Sequence, residues 1–177
     1  MAGSRRAWGW HPLVDDWAAR IVADAGPRPG NLVLDIGAGR GALTRYLVDA
    51  GARVIAVEPH PGRAQWLRER FADAPVTVVE TDMLALRLPS RPFRVIANPP
   101  YSISSALLRQ LLAPHSPLIS ADLVLQRAVV RRYVEQPPRW WDVRAGRSLP
   151  RNAFRRPPKV DSAVLLVRRR TGARRGS

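Results

Sequence analysis

The chain has 177 residues, 46% of them hydrophobic and none of them cysteine, and a formal net charge of +15. This composition provides one domain with a hydrophobic core and excludes disulfides, thiolate zinc sites and a cysteine nucleophile. The charge is uneven, because residues 1–100 carry 13 basic and 10 acidic side chains whereas residues 101–177 carry 16 and 4. We therefore expect the second part to contact a polyanion. Nucleic acid is favoured over an anionic membrane because no basic amphipathic helix with a clean apolar face is visible.

The start of the chain carries no targeting signal that we recognise. Arg5 and Arg6 are followed by Trp8, His11 and Pro12 rather than by the apolar run of a signal peptide, and no later run is long enough to span a bilayer. We expect a cytoplasmic monomer without a metal site.

Short β-rich runs alternate with helical stretches along the chain, which is typical of an open α/β sheet. The pattern predicts helices over 14–25, 41–50, 62–72, 102–112 and 127–134. It predicts strands over 32–36, 53–57, 76–79, 93–97, 121–125 and 163–167. Residues 136–159, rich in Pro, Arg and Trp, are expected to form a long, partly irregular segment, and residues 168–177 a basic, disordered tail.

The first strand runs into a glycine loop, Gly37-Ala38-Gly39-Arg40-Gly41. Glycines let the backbone turn sharply and approach a ligand at the start of the next helix, and their spacing here differs from the G-x-G-x-x-G of dinucleotide-binding proteins. Asp35, just before the loop, would repel a pyrophosphate but suits a cationic amino-acid group. S-adenosylmethionine carries an amino group and a sulfonium and no phosphate, so it is the expected cofactor.

Two further acids follow predicted strands. Glu58 ends the second strand, where it is placed to bond both ribose hydroxyls of the cofactor. Asp82 follows the third strand and suits the amino group of the cofactor's adenine. The alternative is that each acid caps a helix, which for Asp82 alone is an even choice. Three acids at successive strand ends favour cofactor binding.

The fourth strand runs into Asn98-Pro99-Pro100-Tyr101. A nucleobase amino group is a poor nucleophile because its lone pair is delocalised into the ring. The Asn98 side-chain oxygen and the Pro99 carbonyl can accept hydrogen bonds from both hydrogens of this amino group, which orients its lone pair toward a methyl group. The two prolines restrict the backbone and so fix the position of the carbonyl. Tyr101 is placed to stack on a flipped base. The alternative is a simple turn that ends the strand.

The motifs appear in the order found in the ribosomal RNA adenine dimethylases, which the chain resembles over roughly residues 9–167. They are Asp35–Thr44, Val57–Glu58, Thr81–Met83, Asn98–Tyr101 and Phe154–Ser162. The resemblance implies a Rossmann-like S-adenosylmethionine-dependent methyltransferase sheet, mostly parallel with an antiparallel last strand, and one catalytic domain over residues 1–167. The family includes housekeeping small-subunit enzymes and Erm-type enzymes, which modify 23S rRNA and confer macrolide, lincosamide and streptogramin B resistance.

The resemblance also assigns roles to single residues. It implies cofactor contacts from Gly37, Glu58, Asp82 and Asn98, and His11 and Leu13 align with its N-terminal cofactor-contacting pair. Asp35 and Gly39 join these contacts from the loop itself. Catalysis falls to Asn98 and Pro99, and Tyr101 and Phe154 match the aromatics expected to sandwich the target adenine. For Phe154 the alternative is an ordinary core position.

Two departures from the family distinguish this chain. Trp10-His11-Pro12-Leu13 replaces the family's Gln-Asn-Phe-Leu and looks closer to actinobacterial Erm enzymes. The family's C-terminal helical domain is expected to be absent, as in the short mycobacterial Erm proteins. Our hypothesis is that the basic second part and the tail take its place through phosphate contacts.

We therefore predict methyl transfer to the exocyclic N6 amino group of an adenine in 23S rRNA. One alternative is a housekeeping-type 16S rRNA dimethylase, and another is a methyltransferase of a protein side chain, since protein-glutamine enzymes also use Asn-Pro-Pro-Tyr. A DNA adenine methyltransferase and a non-catalytic RNA-binding factor are weaker alternatives. Outside the motifs, His60 is expected in a surface turn and the pair Trp140-Trp141 in the core.

Overall fold

The computed structural model describes residues 10–172, in which five α-helices and seven strands follow one another. The strands are β1 (Leu32–Ile36), β2 (Arg53–Val57), β3 (Val76–Val79), β4 (Phe93–Ala97), β5 (Leu118–Gln126), β6 (Trp141–Leu149) and β7 (Ser162–Arg169). The helices are α1 (Asp15–Ala25), α2 (Ala42–Asp49), α3 (Pro61–Arg70), α4 (Ser104–Leu111) and α5 (Arg127–Glu135). In this part of the chain no helix is long and apolar enough to cross a bilayer.

The seven strands form one sheet in the order β3-β2-β1-β4-β5-β7-β6. The pairs among the first five strands are parallel, and β7 runs antiparallel to both β5 and β6. The predicted Rossmann-like sheet, mostly parallel with an antiparallel last strand, is therefore confirmed. The strand order reverses between β1 and β4, and open α/β sheets bind ligands in the crevice beyond the carboxyl ends of the strands at such a point.

The sheet separates two hydrophobic cores. Successive side chains of a strand point to opposite faces, so Val33 of β1 packs with Leu13 and Leu47 on one face, whereas Leu34 packs with Phe93 on the other. This accounts for the continuous apolar runs from which the strands were predicted, because both faces of a parallel sheet are covered by helices. The carboxyl ends of β1, β2 and β4 meet at one edge and bring the predicted motifs together.

The expectation of a long, partly irregular segment over residues 136–159 missed a strand, because β6 lies within it and forms the edge of the sheet. Gly146 and two arginines give this strand little intrinsic preference for β structure. Pairing with β7 stabilises it instead, and Gly146 lies so close to that strand that a Cβ would be 3.2 Å from Leu166 Cγ. The strand begins at Trp141, which is fully buried and donates from Nε1 to the Leu112 carbonyl at 3.1 Å. The expected core role is thus confirmed for Trp141.

The predicted boundary of the basic tail also needs correction. Arg168 and Arg169 belong to β7, and the Arg168 guanidinium donates to the buried Asp122 carboxylate at 2.8 Å. Arg170 lies 3.1 Å from the Asp142 carboxylate. The first arginines of the predicted tail are therefore part of the folded sheet, and residues 173–177 lie outside the described part of the chain.

Candidate active site

Two adjoining cavities, of about 410 and 200 Å³, open beyond the carboxyl ends of β1, β2 and β4. Trp10, Gly37 and Asn98 line both of them. The larger also contains the predicted cofactor contacts Asp35 and Leu13, and the smaller contains Glu58 and His11. The structure thus brings six of the predicted residues to one cleft, whereas Gly39, Asp82, Pro99, Tyr101 and Phe154 do not line either cavity.

Gly37 of the glycine loop lines both cavities. Gly37 and Gly39 have φ values of 79° and 58°, a region that side chains rarely adopt. Space restricts the same positions, since a Cβ on Gly37 would lie 3.2 Å from Pro100 Cδ and one on Gly39 would lie 2.8 Å from Trp10 Nε1. Conformation and packing both require glycine here, and the result is a cradle of bare backbone.

Glu58 holds this loop from β2. Its Oε1 accepts from the Gly39 amide at 3.0 Å, and its Oε2 accepts from the His60 amide at 2.9 Å. The carboxylate is only 2% exposed, and Arg63 Nε lies 3.3 Å from Oε2 without a hydrogen-bond partner of its own. A carboxylate has about four lone-pair positions, so Glu58 keeps acceptor capacity toward a ligand hydroxyl while it fixes the loop.

Asp35 is a buried acid with one polar partner. Thr44 Oγ1 donates to its Oδ2 at 2.7 Å. Burial raises the pKa of the Asp35 carboxyl from 3.8 to about 7, the Thr44 hydrogen bond opposes this shift and the neighbouring Glu58 adds to it. A cation bound in the larger cavity would relieve the cost of the buried charge. The donor set therefore fits the amino group of S-adenosylmethionine.

Asp82 is exposed and serves as a cap. Its Oδ1 accepts from the Leu84 amide at 2.8 Å at the start of the 3-10 turn Met83–Ala85. The capping interpretation is therefore correct for this residue, and its contact with the cofactor's adenine remains a prediction. Met83 reaches the smaller cavity instead.

Asn98 is oriented by the segment that precedes α1. Its Nδ2 donates to the His11 carbonyl at 2.9 Å, which identifies the nitrogen side of the amide and leaves Oδ1 as an acceptor. Among residues 10–172 the Pro99 carbonyl accepts no hydrogen bond, whereas the Pro100 carbonyl accepts from Ile103 at 3.2 Å. Two acceptors without protein donors thus stand side by side at the end of β4.

The two predicted aromatics differ in environment. Tyr101 is half-buried, burial raises the pKa of its hydroxyl, and that hydroxyl lies 2.5 Å from Ser162 Oγ. Phe154 is 3% exposed and belongs to the core that contains Leu13. The His11 ring lies beside both, with centroid distances of 5.7 Å to Tyr101 and 6.4 Å to Phe154. Phe154 therefore occupies a core position in this structure, and its contact with the target adenine remains a prediction.

Trp10 and Arg63 were not among the predicted site residues. The Trp10 indole covers Gly39, and the Arg63 guanidinium lies 4.7 Å above the indole ring while it also faces Glu58. A tryptophan directly before the predicted contact His11 was the available signal. His60, predicted in a surface turn, accepts from two amides at the start of α3 and so caps that helix.

Comparison with known proteins agrees with this geometry. Residues 5–175 match the family described as ribosomal RNA adenine dimethylase. The chain is 32% identical to an rRNA adenine N-6-methyltransferase of Corynebacterium diphtheriae, over 90% of this chain and 64% of the relative. It is 36% identical to the ribosomal RNA small subunit methyltransferase A of Thermosynechococcus vestitus, over 100% and 74%.

Among solved structures, the 23S rRNA methyltransferase ErmE superposes with a TM-score of 0.81 at 34% identity, over 90% of this chain and 70% of that one. The chain spans between 52% and 74% of the length of the curated relatives that it matches. The match over residues 5–175 and the shared fold lead to one conclusion: the chain belongs to the ribosomal RNA adenine dimethylase family.

Proposed function

We propose that the protein transfers a methyl group from S-adenosylmethionine to the exocyclic N6 amino group of an adenine in 23S rRNA. The observation that carries this proposal is the pair of unfilled acceptors, Asn98 Oδ1 and the Pro99 carbonyl, beside a cleft with a glycine cradle and buried acids. An amino group with two hydrogens matches two acceptors, whereas a hydroxyl matches only one.

Different residues of the cleft contact different parts of the cofactor. Asp35 faces the amino group, Gly37 and Gly39 provide the close backbone approach, and Glu58 accepts from the ribose hydroxyls. The remaining proposed contacts are His11, Leu13, Asp82 and Asn98. When bound, the cofactor supplies an electrophilic methyl group on its sulfonium.

The chain's own contribution to the reaction is positioning. Asn98 Oδ1 and the Pro99 carbonyl accept the two hydrogens of the N6 amino group, which turns the nitrogen lone pair out of the ring plane and toward the methyl group. Tyr101 holds one face of the flipped adenine by stacking. As the N–C bond formed, the S–C bond of the bound cofactor would break, and the positively charged N6 would lose one proton to water. Positioning of two reactants contributes several orders of magnitude in rate without a strong general base.

The RNA is expected to lie across the basic second part of the chain. Within residues 10–172, several exposed side chains of this part form no ion pair with an acid: Arg132, Arg139, Arg144, Arg151, Arg156 and Lys159. Cations that acids do not neutralise remain available to phosphates, and such contacts position RNA without reading its sequence.

The choice of 23S rRNA, and with it macrolide, lincosamide and streptogramin B resistance, rests on the relatives. ErmE is described as a 23S rRNA methyltransferase, and a relative of 32% identity from Micromonospora griseorubida is described as a mycinamicin-resistance protein. A second candidate, dimethylation of 16S rRNA, is favoured by the small subunit methyltransferase of Thermosynechococcus vestitus.

The test is methyl transfer from labelled S-adenosylmethionine to 23S and 16S rRNA, with the modified position mapped by primer extension. Asn98→Ala removes one proposed acceptor, and His115→Ala, an exposed change away from the cleft, is the control. We expect label on a 23S adenine that Asn98→Ala abolishes and His115→Ala retains. Label on 16S rRNA alone would support the second candidate. Label on protein, or none on RNA while the cofactor still binds, would refute both.

A further inference from the structure

A separate cavity of about 220 Å³ lies at the amino ends of β1, β2 and β4, on the edge of the sheet opposite the candidate active site. None of the residues that line this amino-edge pocket is acidic. Its polar side chains are Asn31, Arg53, Arg91 and Arg94. Arg53 is the first residue of β2, Arg91 precedes β4 and Arg94 lies within it. The fold thus gathers three arginines from separate parts of the chain around one space.

Arg94 is anchored by neutral acceptors of the protein. At the end of α1, its Nη2 donates to the Ala25 carbonyl at 2.6 Å and its Nη1 to the Gly26 carbonyl at 3.2 Å. Its Nε donates to Ser120 Oγ at 2.9 Å. A cation at the carboxyl end of a helix is favourable, so the guanidinium is held firmly although no acid among the described residues forms an ion pair with it.

The other polar side chains of the pocket are donors without protein acceptors. Asn31 Oδ1 accepts from the Arg28 amide at 2.9 Å, which leaves Nδ2 as the free end of this amide. Arg53 and Arg91 are exposed, and within residues 10–172 neither guanidinium forms a hydrogen bond or an ion pair. Such a set of donors matches a ligand that only accepts hydrogen bonds.

Further positive charge lies beside the pocket. Arg94 pairs with Ser120 of β5, and Ser120 pairs in turn with Arg168 of β7. Burial lowers the pKa of the Arg94 guanidinium. The charge of Asp122 opposes this shift, whereas the charges of Arg168 and Arg28 add to it. Arginines so close together repel one another, and an anion that binds among them removes that cost.

We propose that the amino-edge pocket binds a phosphate of the RNA backbone and is a second contact for the RNA substrate, at the opposite edge of the sheet from the candidate active site. This inference rests on the proposed function, because it adds a contact for the same substrate. The charge count along the sequence placed the polyanion contact in residues 101–177. Arg53 and Arg91 belong to the first part of the chain, and only the fold brings them to the same edge as Arg168.

The size of the pocket favours a phosphodiester over a whole small ligand. Sites that enclose a drug-sized molecule measure about 300–1,000 Å³, and one water molecule takes about 30 Å³. A space of about 220 Å³ therefore suits one anionic group of a larger molecule. Arginine is well matched to that group, since its planar fork of N–H donors binds phosphate oxygens in pairs. The five residues of β1 span about 17 Å, so an RNA that reaches both edges extends well beyond the target adenine.

The test removes the two exposed charges and leaves the anchored Arg94 in place. The variants are the double substitution Arg53→Gln with Arg91→Gln and its charge-keeping counterpart, Arg53→Lys with Arg91→Lys. The matched control, Arg20→Gln with Arg68→Gln, removes the same charge from α1 and α3. Fluorescence anisotropy of a labelled 23S rRNA fragment of several helices gives the affinity of each variant between about 50 and 200 mM salt.

We expect the glutamine pair at positions 53 and 91 to lower the slope of log affinity against log salt by about 1.5–2 and to weaken binding roughly 5- to 30-fold. The lysine pair and the control pair should keep slopes close to that of the wild type. The thermal midpoint of the glutamine pair without RNA should equal or exceed that of the wild type, because its loss relieves repulsion and breaks no contact. A slope unchanged in the glutamine pair, or lowered equally in the control pair, would overturn the proposal.

A free anion is the competing occupant, and inorganic phosphate is the probe for it. If millimolar phosphate raised the thermal midpoint of the wild type but not of the glutamine pair, while both bound RNA with the same slope, the pocket would hold a free anion and the RNA contact would be overturned. Failure of the proposed function is seen separately, as absence of methylated adenine with the wild-type protein, and it leaves these binding measurements readable.

Discussion

Protonation of Asp35 couples cofactor binding to pH in a way that can be worked out from the structure. The carboxyl is 1% exposed and its pKa is raised to about 7, chiefly by burial. Only the ionised form attracts the cofactor's ammonium group. The ionised fraction of Asp35 rises from about one tenth at pH 6 to about nine tenths at pH 8, which by itself would raise the affinity about tenfold over this range.

The cofactor's own amino group titrates at the upper end of this range, near the ordinary pKa of about 7.7–8.0 for an α-amino group. Loss of its charge weakens binding at higher pH. The wild-type affinity should therefore pass through a maximum near pH 7.5, with Asp35 responsible for the acidic limb and the ligand for the alkaline limb.

The assay is isothermal titration calorimetry with S-adenosylhomocysteine from pH 5.5 to 9. Asp35→Asn, which keeps the shape and the acceptor for Thr44, should lose the acidic limb and keep the alkaline one. Thr44→Val removes the hydrogen bond that lowers the Asp35 pKa, so its acidic limb should move to higher pH. Titration in two buffers of different ionisation enthalpy should show that the wild type releases about half a proton more than Asp35→Asn does at pH 7. An acidic limb that persists unchanged in Asp35→Asn would refute the reasoning.

Four further outcomes are expected. The free energy of unfolding should fall as pH rises from about 4 to 7, because folded Asp35 keeps its proton above the unfolded pKa of 3.8. The fall should be smaller in Asp35→Asn, and urea melts at several pH values measure both. Gly39→Ala and Gly30→Ala should each lower the free energy of unfolding by about 1–2 kcal/mol, because both glycines have a left-handed φ. Only Gly39→Ala should also weaken cofactor binding, since only its Cβ meets Trp10. Equal cofactor affinities of the two variants in calorimetry would contradict this. Trp141→Phe should lower the free energy of unfolding by about 2 kcal/mol in urea melts, because the Leu112 carbonyl loses its donor. If Trp140→Phe lowered it as much, the lost hydrogen bond would not be the reason. Removal of residues 173–177, which contain two arginines, should lower the slope of log affinity for RNA against log salt by about 1–2, and an unchanged slope would mean that the tail makes no phosphate contact.

The strands next to the site were predictable because their sequences are unambiguous. The strands β1, β2, β3 and β4 have the predicted bounds, since each is a short apolar run that ends in a polar or glycine residue. The edge strand β6 was not predictable in this way. Between its buried ends its residues are exposed or only partly buried, and its structure depends on hydrogen bonds to β7, which its own sequence does not indicate.

The same distinction between local pattern and tertiary packing applies to the residues of the candidate site. The sequence by itself determined the identity of the acids, the glycine loop and Asn98-Pro99-Pro100-Tyr101, because these groups act through their chemistry at the ends of strands that local pattern specifies. Only the tertiary structure decided that Asp82 caps a turn, that Phe154 is buried behind His11 and that Trp10 covers Gly39. Each of these depends on which distant segments pack against one another. Spacing along a sequence fixes where a side chain leaves the backbone, whereas its exposure and partners are set by packing between segments.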